Sequence, residues 1–120
     1  MKIAFTTDGK NLEAKLDRRF GRAAGFLIVD SETKECRFVD NEQNLNAAQG
    51  AGIQAAQKVA EAGAEAVVTG HCGPKAFRVL TAAGLEVYAS EAATVAEALE
   101  QWTSGQIQPI DKADVEGHWV

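Results

Sequence analysis

The chain has 120 residues, 46% apolar and 24% charged, with a formal net charge of −5. That length fits one domain around one core, and the acidic balance argues against general nucleic-acid binding. No apolar run approaches a membrane span, the start "MKIAFTTDGK" lacks the long apolar core of a secretory signal, and Cys36 and Cys72 are too few for a disulfide scaffold, so a cytoplasmic protein is expected.

The opening "KIAFTT" is a short apolar, β-branched run that ends at "DG", a strand and its exit. Residues 9–24 have no clean period and read as a loop. Within it "KLDRRFGR", Lys15 to Arg22, carries four positive residues and one negative, a basic island on an acidic protein. "GFLIVD" (25–30) is a buried strand, "SETK" a turn, and "ECRFVD" (35–40) a second strand pairing with it as a hairpin. Alternation with Phe38 assigns Cys36 to the core.

From residue 46 the period becomes helical. "NAAQGAGIQAAQKVAEAG" sets Ile53, Ala56, Val59 and Ala60 on one face, and Gly63 ends the helix. "AEAVVTG" follows as a buried strand. Pro74 suits a first helical turn, and "KAFRVLTAAG" places Ala76, Phe77, Val79, Leu80 and Ala83 at helix spacing before Gly84. "LEVYAS" is the last strand. Thr94 and Glu97 form a capping box that opens "VAEALEQW", closing near Gly105. The expected domain is 1–105, followed by an acidic tail at 106–120.

Helices between consecutive strands imply right-handed parallel crossovers. The expectation is an α/β fold with a mixed sheet of five strands and three helices. The hairpin extends one side of a central first strand, and the crossover strands extend the other. The first strand and the "VVTG" strand then flank a switch point, where open α/β sheets bind ligands.

Three loops should meet there: the exit of the first strand, "NLNAAQGAG" and "TGHCGPKAF". Two of them open helices, whose free N–H groups and dipoles attract anions. Gly50, Gly52, Gly70 and Gly73 would let backbone approach a ligand, and Arg18, Arg19, Arg22 and Lys75 add charge. A site for a compact polyanion is one reading. Plain turn chemistry, a solvated basic surface, Phe20 as a core plug, His71 as a hydrogen-bonded strand end and Cys72 as a buried thiol are the others. Adjacent residues leaving a strand point opposite ways, so His71 and Cys72 do not form a nucleophilic dyad; each offers at most one soft ligand or donor.

With "IAFTTDG", "LDRRFGRA", "GAGIQAAQKVAEAGAEAVVTGHCGPKAFRVLTAAGLEVY" and "EALEQW" in order, the chain resembles the dinitrogenase iron–molybdenum cofactor biosynthesis family over about residues 2–105. Its NifX-like domains also occur at the C-terminus of NifB, and "HCGP" is similar to the orange-protein branch. The resemblance implies a ribonuclease-H-like motif with strand order 3-2-1-4-5 and the second strand antiparallel. It implies a carrier of a metal–sulfur cofactor rather than an enzyme. The cofactor would be a molybdenum–copper sulfide cluster, or alternatively an iron–molybdenum cofactor precursor. MinD-like P-loop ATPases are implied as partners, with no nucleic acid and no membrane. Carried over, the pocket falls on Arg18, Arg19, Phe20, Gly21, Arg22 and Ala23, on Ala48, Gln49, Gly50, Ala51 and Gly52, and on His71, Cys72, Gly73, Pro74 and Lys75. Copper, being soft, could accept Cys72 sulfur or His71 nitrogen. The competing readings are a module that docks an acidic partner and a nuclease. The nuclease has Asp8 in place but no acid at the end of "VVTG".

Overall fold

The structure, a computed structural model, describes residues 1–41 and 51–111. Five strands form one sheet: β1 (Lys2–Thr7), β2 (Gly25–Asp30), β3 (Cys36–Asp40), β4 (Ala66–Thr69) and β5 (Glu86–Ala89). Their order is β3-β2-β1-β4-β5. β2 is antiparallel to both of its neighbours, whereas β4 is parallel to β1 and β5. This is the order and polarity the sequence implied. The described helices are α1 (Ala51–Glu61), α2 (Pro74–Ala82) and α3 (Val95–Ser104).

Both faces of the sheet are covered, which is why β1, β2 and β4 are apolar almost throughout. One face packs Ala4, Phe26, Ile28, Val67 and Val87 against α1 and α2. The other packs Ile3, Phe5, Leu27, Val29 and Val68 against α3. Each crossover runs from a strand's C-terminal end into a helix, so the N-termini of α2 and α3 lie at the rim where β4 and β5 end.

The helix limits follow local chemistry. Gly63, Gly84 and Gly105 all take positive φ, between 80° and 87°. After α2, Leu85 N–H reaches back to the Leu80 carbonyl at 3.0 Å, the longer bond of a Schellman turn. Thr94 Oγ1 accepts Glu97 N–H at 3.2 Å, while the Glu97 carboxylate accepts Ala93 N–H, one residue earlier than the usual box. At the β2–β3 turn, Asp30 accepts the N–H groups of Glu32 and Thr33, and these two bonds hold its carboxyl below the ordinary carboxylate value.

Four expectations need correction. Cys36 is exposed, not core: it opens β3, an edge strand whose described residues are at most half-buried. On α1 the buried stripe runs through Ala55, Ala56 and Val59, with Ile53 only half-buried. Ala83 is exposed, because α2 has already ended there in its C-cap. Residues 9–24 are not featureless. Leu16 bridges Thr7, Lys15 bridges Thr94, Arg19 bridges His71 in parallel, and Phe20–Arg22 form a 3-10 turn. The period fails there because the segment is fixed to distant parts of the chain and, apart from that short turn, forms no regular element of its own.

Beyond α3 the chain stays attached to the sheet. Pro109 bridges Tyr88, and Ile110 N–H donates to the Val87 carbonyl at 2.8 Å. The rest of the tail, with His118 and Trp119, lies outside the described residues. Among the described residues no helix is long and apolar enough to cross a membrane.

Candidate functional site

The basic segment and the "TGHCGP" loop meet. His71 N–H donates to the Arg18 carbonyl at 2.7 Å, and Phe20 N–H donates to the His71 carbonyl at 3.2 Å. The two segments therefore run side by side across the C-terminal ends of β1 and β4. Gly70 is what permits this. A β-carbon there would lie 2.8 Å from both Cα and O of Arg18, inside any tolerable contact. The close approach at Gly70 is thus to the chain's own backbone.

Phe20 anchors the segment. It is 2% exposed, lies within the α1–α2 core, and its ring sits 5.5 Å from that of Phe26. With Phe20 held inward, Arg18 and Arg19 stand exposed and Arg22 half-exposed above it. Gly21 and Ala23 are buried and form the floor of the turn.

α2 begins beside them. Its N-cap is Gly73, which has no side chain to offer, and Pro74 follows at the first turn. Its first turn holds no acid and does hold exposed Lys75. α3, by contrast, closes its N-terminus with Thr94 and Glu97. Of the two helix starts described at this rim, α2 is the one without a side-chain cap, so its dipole favours a nearby anion.

His71 is half-exposed, with Nδ1 shielded from solvent. Cys72 is fully buried in the α1–α2 core, its sulfur 3.8 Å from the Gly73 carbonyl. A cleft of about 160 Å³ opens here, lined by Arg18, Gly70, His71, Ala89, Ser90 and Glu91. A larger cleft of about 280 Å³, at the other end of the sheet, mixes Lys2 and Arg37 with Asp30 and Glu35 and so offers an anion no net field. Among the described residues no group of three His, Cys, Asp or Glu side chains could hold a metal ion. What the rim does offer is positive charge, backbone N–H groups and one imidazole.

Of the residues the sequence singled out, Arg18 to Ala23 and His71 to Lys75 are brought together. Gly52 is buried within α1, and Ala51 is the first described residue of that helix. Ala48, Gln49 and Gly50 lie outside the described residues. Sequence reasoning missed Ser90 and Glu91, which follow the last strand and carry no motif. It also missed Thr6, Thr69 and Asp17, which fix the basic segment. Their available signal was a threonine at the end of an otherwise apolar buried strand.

The five-stranded α/β domain thus carries a basic, amide-rich rim where β1 and β4 end. The profile of the dinitrogenase iron–molybdenum cofactor family matches residues 1–105, and the chain belongs to that family. The apo form of the orange protein from Desulfovibrio gigas is similar at 42% identity and TM-score 0.92, over 95% of this chain and 96% of that one. A NifB-like protein from Thermotoga is similar at 32% identity and TM-score 0.82, over 97% and 98% of the two chains. An uncharacterised protein of Methanocaldococcus jannaschii is 28% identical over 113 residues, 92% of each chain. Family and orange-protein neighbour together support a carrier or scaffold role related to the iron–molybdenum cofactor.

Proposed function

We propose that this chain is a non-enzymatic carrier or scaffold for an anionic, molybdenum-containing metal–sulfide cluster, with molybdenum–copper sulfide the favoured composition. The observation that carries this reading is the parallel pairing of Arg19 with His71, which sets the arginine segment beside the open N-terminus of α2. A preformed thiomolybdate-type cluster brings its own sulfide ligands. It needs charge and N–H donors more than it needs protein thiolates. The rim suits it on both counts: guanidinium groups from Arg18, Arg19 and Arg22, the Lys75 ammonium, and the amides that begin α2.

His71, at the edge of the rim, is the candidate soft donor to copper. Cys72 lies within the core, so its sulfur serves as wall beneath the site unless the turn before α2 opens. An iron–molybdenum cofactor precursor would use the same cradle.

The test is retention of colour and metal after desalting, with protein given tetrathiomolybdate and copper. Arg19→Ala and Arg22→Ala are expected to lose about tenfold or more in retention, the scale of one charge-assisted contact. Cys36→Ser, on the far edge strand, is expected to lose nothing. Equal retention in all three would remove the arginines from the site. Exposed Arg18, Arg19 and Lys75 on an acidic protein also favour a second reading, an acidic partner such as a P-loop ATPase docking at this rim. Partner binding that is unaffected by bound cluster would count against a shared surface.

A further inference from the structure

The arginine segment has almost no regular structure of its own, yet it is held in one place by a compact set of bonds. Asp17 N–H donates to the Thr6 carbonyl at 2.7 Å. Thr6 Oγ1 returns the contact, 2.6 Å from the Asp17 carbonyl. The same Oγ1 is 2.8 Å from Thr69 Oγ1, across the β1–β4 boundary. A hydroxyl has one proton, so if Thr6 gives its proton to the Asp17 carbonyl, Thr69 must donate to Thr6. Asp17 then passes the constraint on, its carboxylate accepting Arg19 N–H at 2.9 Å.

Both threonines are buried, Thr6 at 0% and Thr69 at 1% exposure. On strands covered on both faces, valine would fill the same space without desolvating a hydroxyl. Two adjoining buried hydroxyls therefore point to a task other than packing. The bonds they make run to the residue just before Arg18 and Arg19, and β4 leads directly to His71.

We infer that Thr6 and Thr69 form a buried hydroxyl latch that positions Arg18 and Arg19 against His71, and so sets the geometry with which the rim grips its anion. The inference rests on the carrier reading above and adds positioning residues to it. The latch joins the ends of β1 and β4 to the arginine segment through side chains. It can thus be removed by substitution while every backbone bond keeps its donor and acceptor. Thr69→Val keeps the shape and removes the proton given to Thr6. Thr6→Val removes the donor to Asp17. Gly70→Ala reaches the same result by another route, pushing on Arg18 while leaving both hydroxyls in place.

The experiment measures two things on the full chain: retention of tetrathiomolybdate with copper, and amide exchange at Phe20 and His71, whose N–H groups tie the two segments together. Thr69→Val and Gly70→Ala are each expected to lose about tenfold in retention, with faster exchange at those two amides. Thr69→Ser, which keeps the hydroxyl, should restore both. Leu99→Ala destabilises the opposite face and should leave retention unchanged. If Thr69→Val does not fold, Thr6→Val carries the test of the hydroxyls and Gly70→Ala that of the arginine position. Wild-type retention with undiminished retention in Thr69→Val or Gly70→Ala would overturn the latch and leave the carrier reading standing. Failure of the wild-type chain to retain the probe would overturn the carrier reading and the latch's role in it together.

Discussion

The two thiols sit in opposite environments. Cys36 is exposed on the edge strand and Cys72 is sealed in the core. Partial desolvation, and secondarily the Glu13 carboxylate, push the Cys36 pKa above the ordinary thiol value. Less of it is thiolate near neutrality, and only the thiolate reacts. Alkylation of the native protein should therefore modify Cys36 alone, more slowly than a free cysteine at pH 8, and catch up as pH rises through the raised pKa. Glu13→Gln should speed the reaction at pH 8 by removing a charge that opposes the thiolate. Cys72 should react only on unfolding. Reaction of both thiols at similar rates in the folded chain, followed by mass spectrometry, would contradict this burial pattern.

At the scale of elements, the 3-10 turn at Phe20–Arg22 depends on its aromatic anchor. Phe20→Ala should cost about 3–5 kcal/mol in denaturant unfolding, as for other buried aromatics. Gly84→Ala should cost only about 1–2 kcal/mol, the penalty for a β-carbon at positive φ, and should not affect the rim. Near-equal effects of the two would mean that Phe20 contributes little to the core. Most elements could be read from the chain because their causes are local. The apolar runs of β1, β2 and β4, the glycine stops after the helices, Pro74 and the Thr94–Glu97 box each act within a few residues. Ile53 and Ala83 were misjudged because spacing gives a helix's face but not how far its neighbours extend over it. Residues 9–24 were illegible for the opposite reason. Their bonds run to Thr94, Thr6 and His71, and no periodicity encodes a partner so far away. The arginines were visible as charge; Thr6 and Thr69 were not, because a threonine in a strand looks like ordinary β-branched filling.

Across the whole molecule, a net charge of −5 surrounds a basic rim, so the field is uneven. On the carrier reading proposed above, an anion would be steered away from the acidic surface and toward the arginine segment. Capture of tetrathiomolybdate should slow and weaken as salt rises from about 0.01 to 0.15 M, where the screening length falls from roughly 30 Å to 8 Å. Stopped-flow association rates that do not change with ionic strength would mean that steering plays no part.

The Arg19–His71 bridge joins a segment just after the first strand to one just after the fourth. On the carrier reading proposed above, neither segment forms a site until β1 and β4 have paired, so a nascent or truncated chain would have nothing to load. A guest gripped by both acts as a reversible clasp between early and late parts of the polypeptide, and occupancy at a hundredfold excess over Kd would add about 2.7 kcal/mol against unfolding. Cargo and fold would then guarantee one another: only the finished protein accepts its passenger, and the passenger keeps the protein finished.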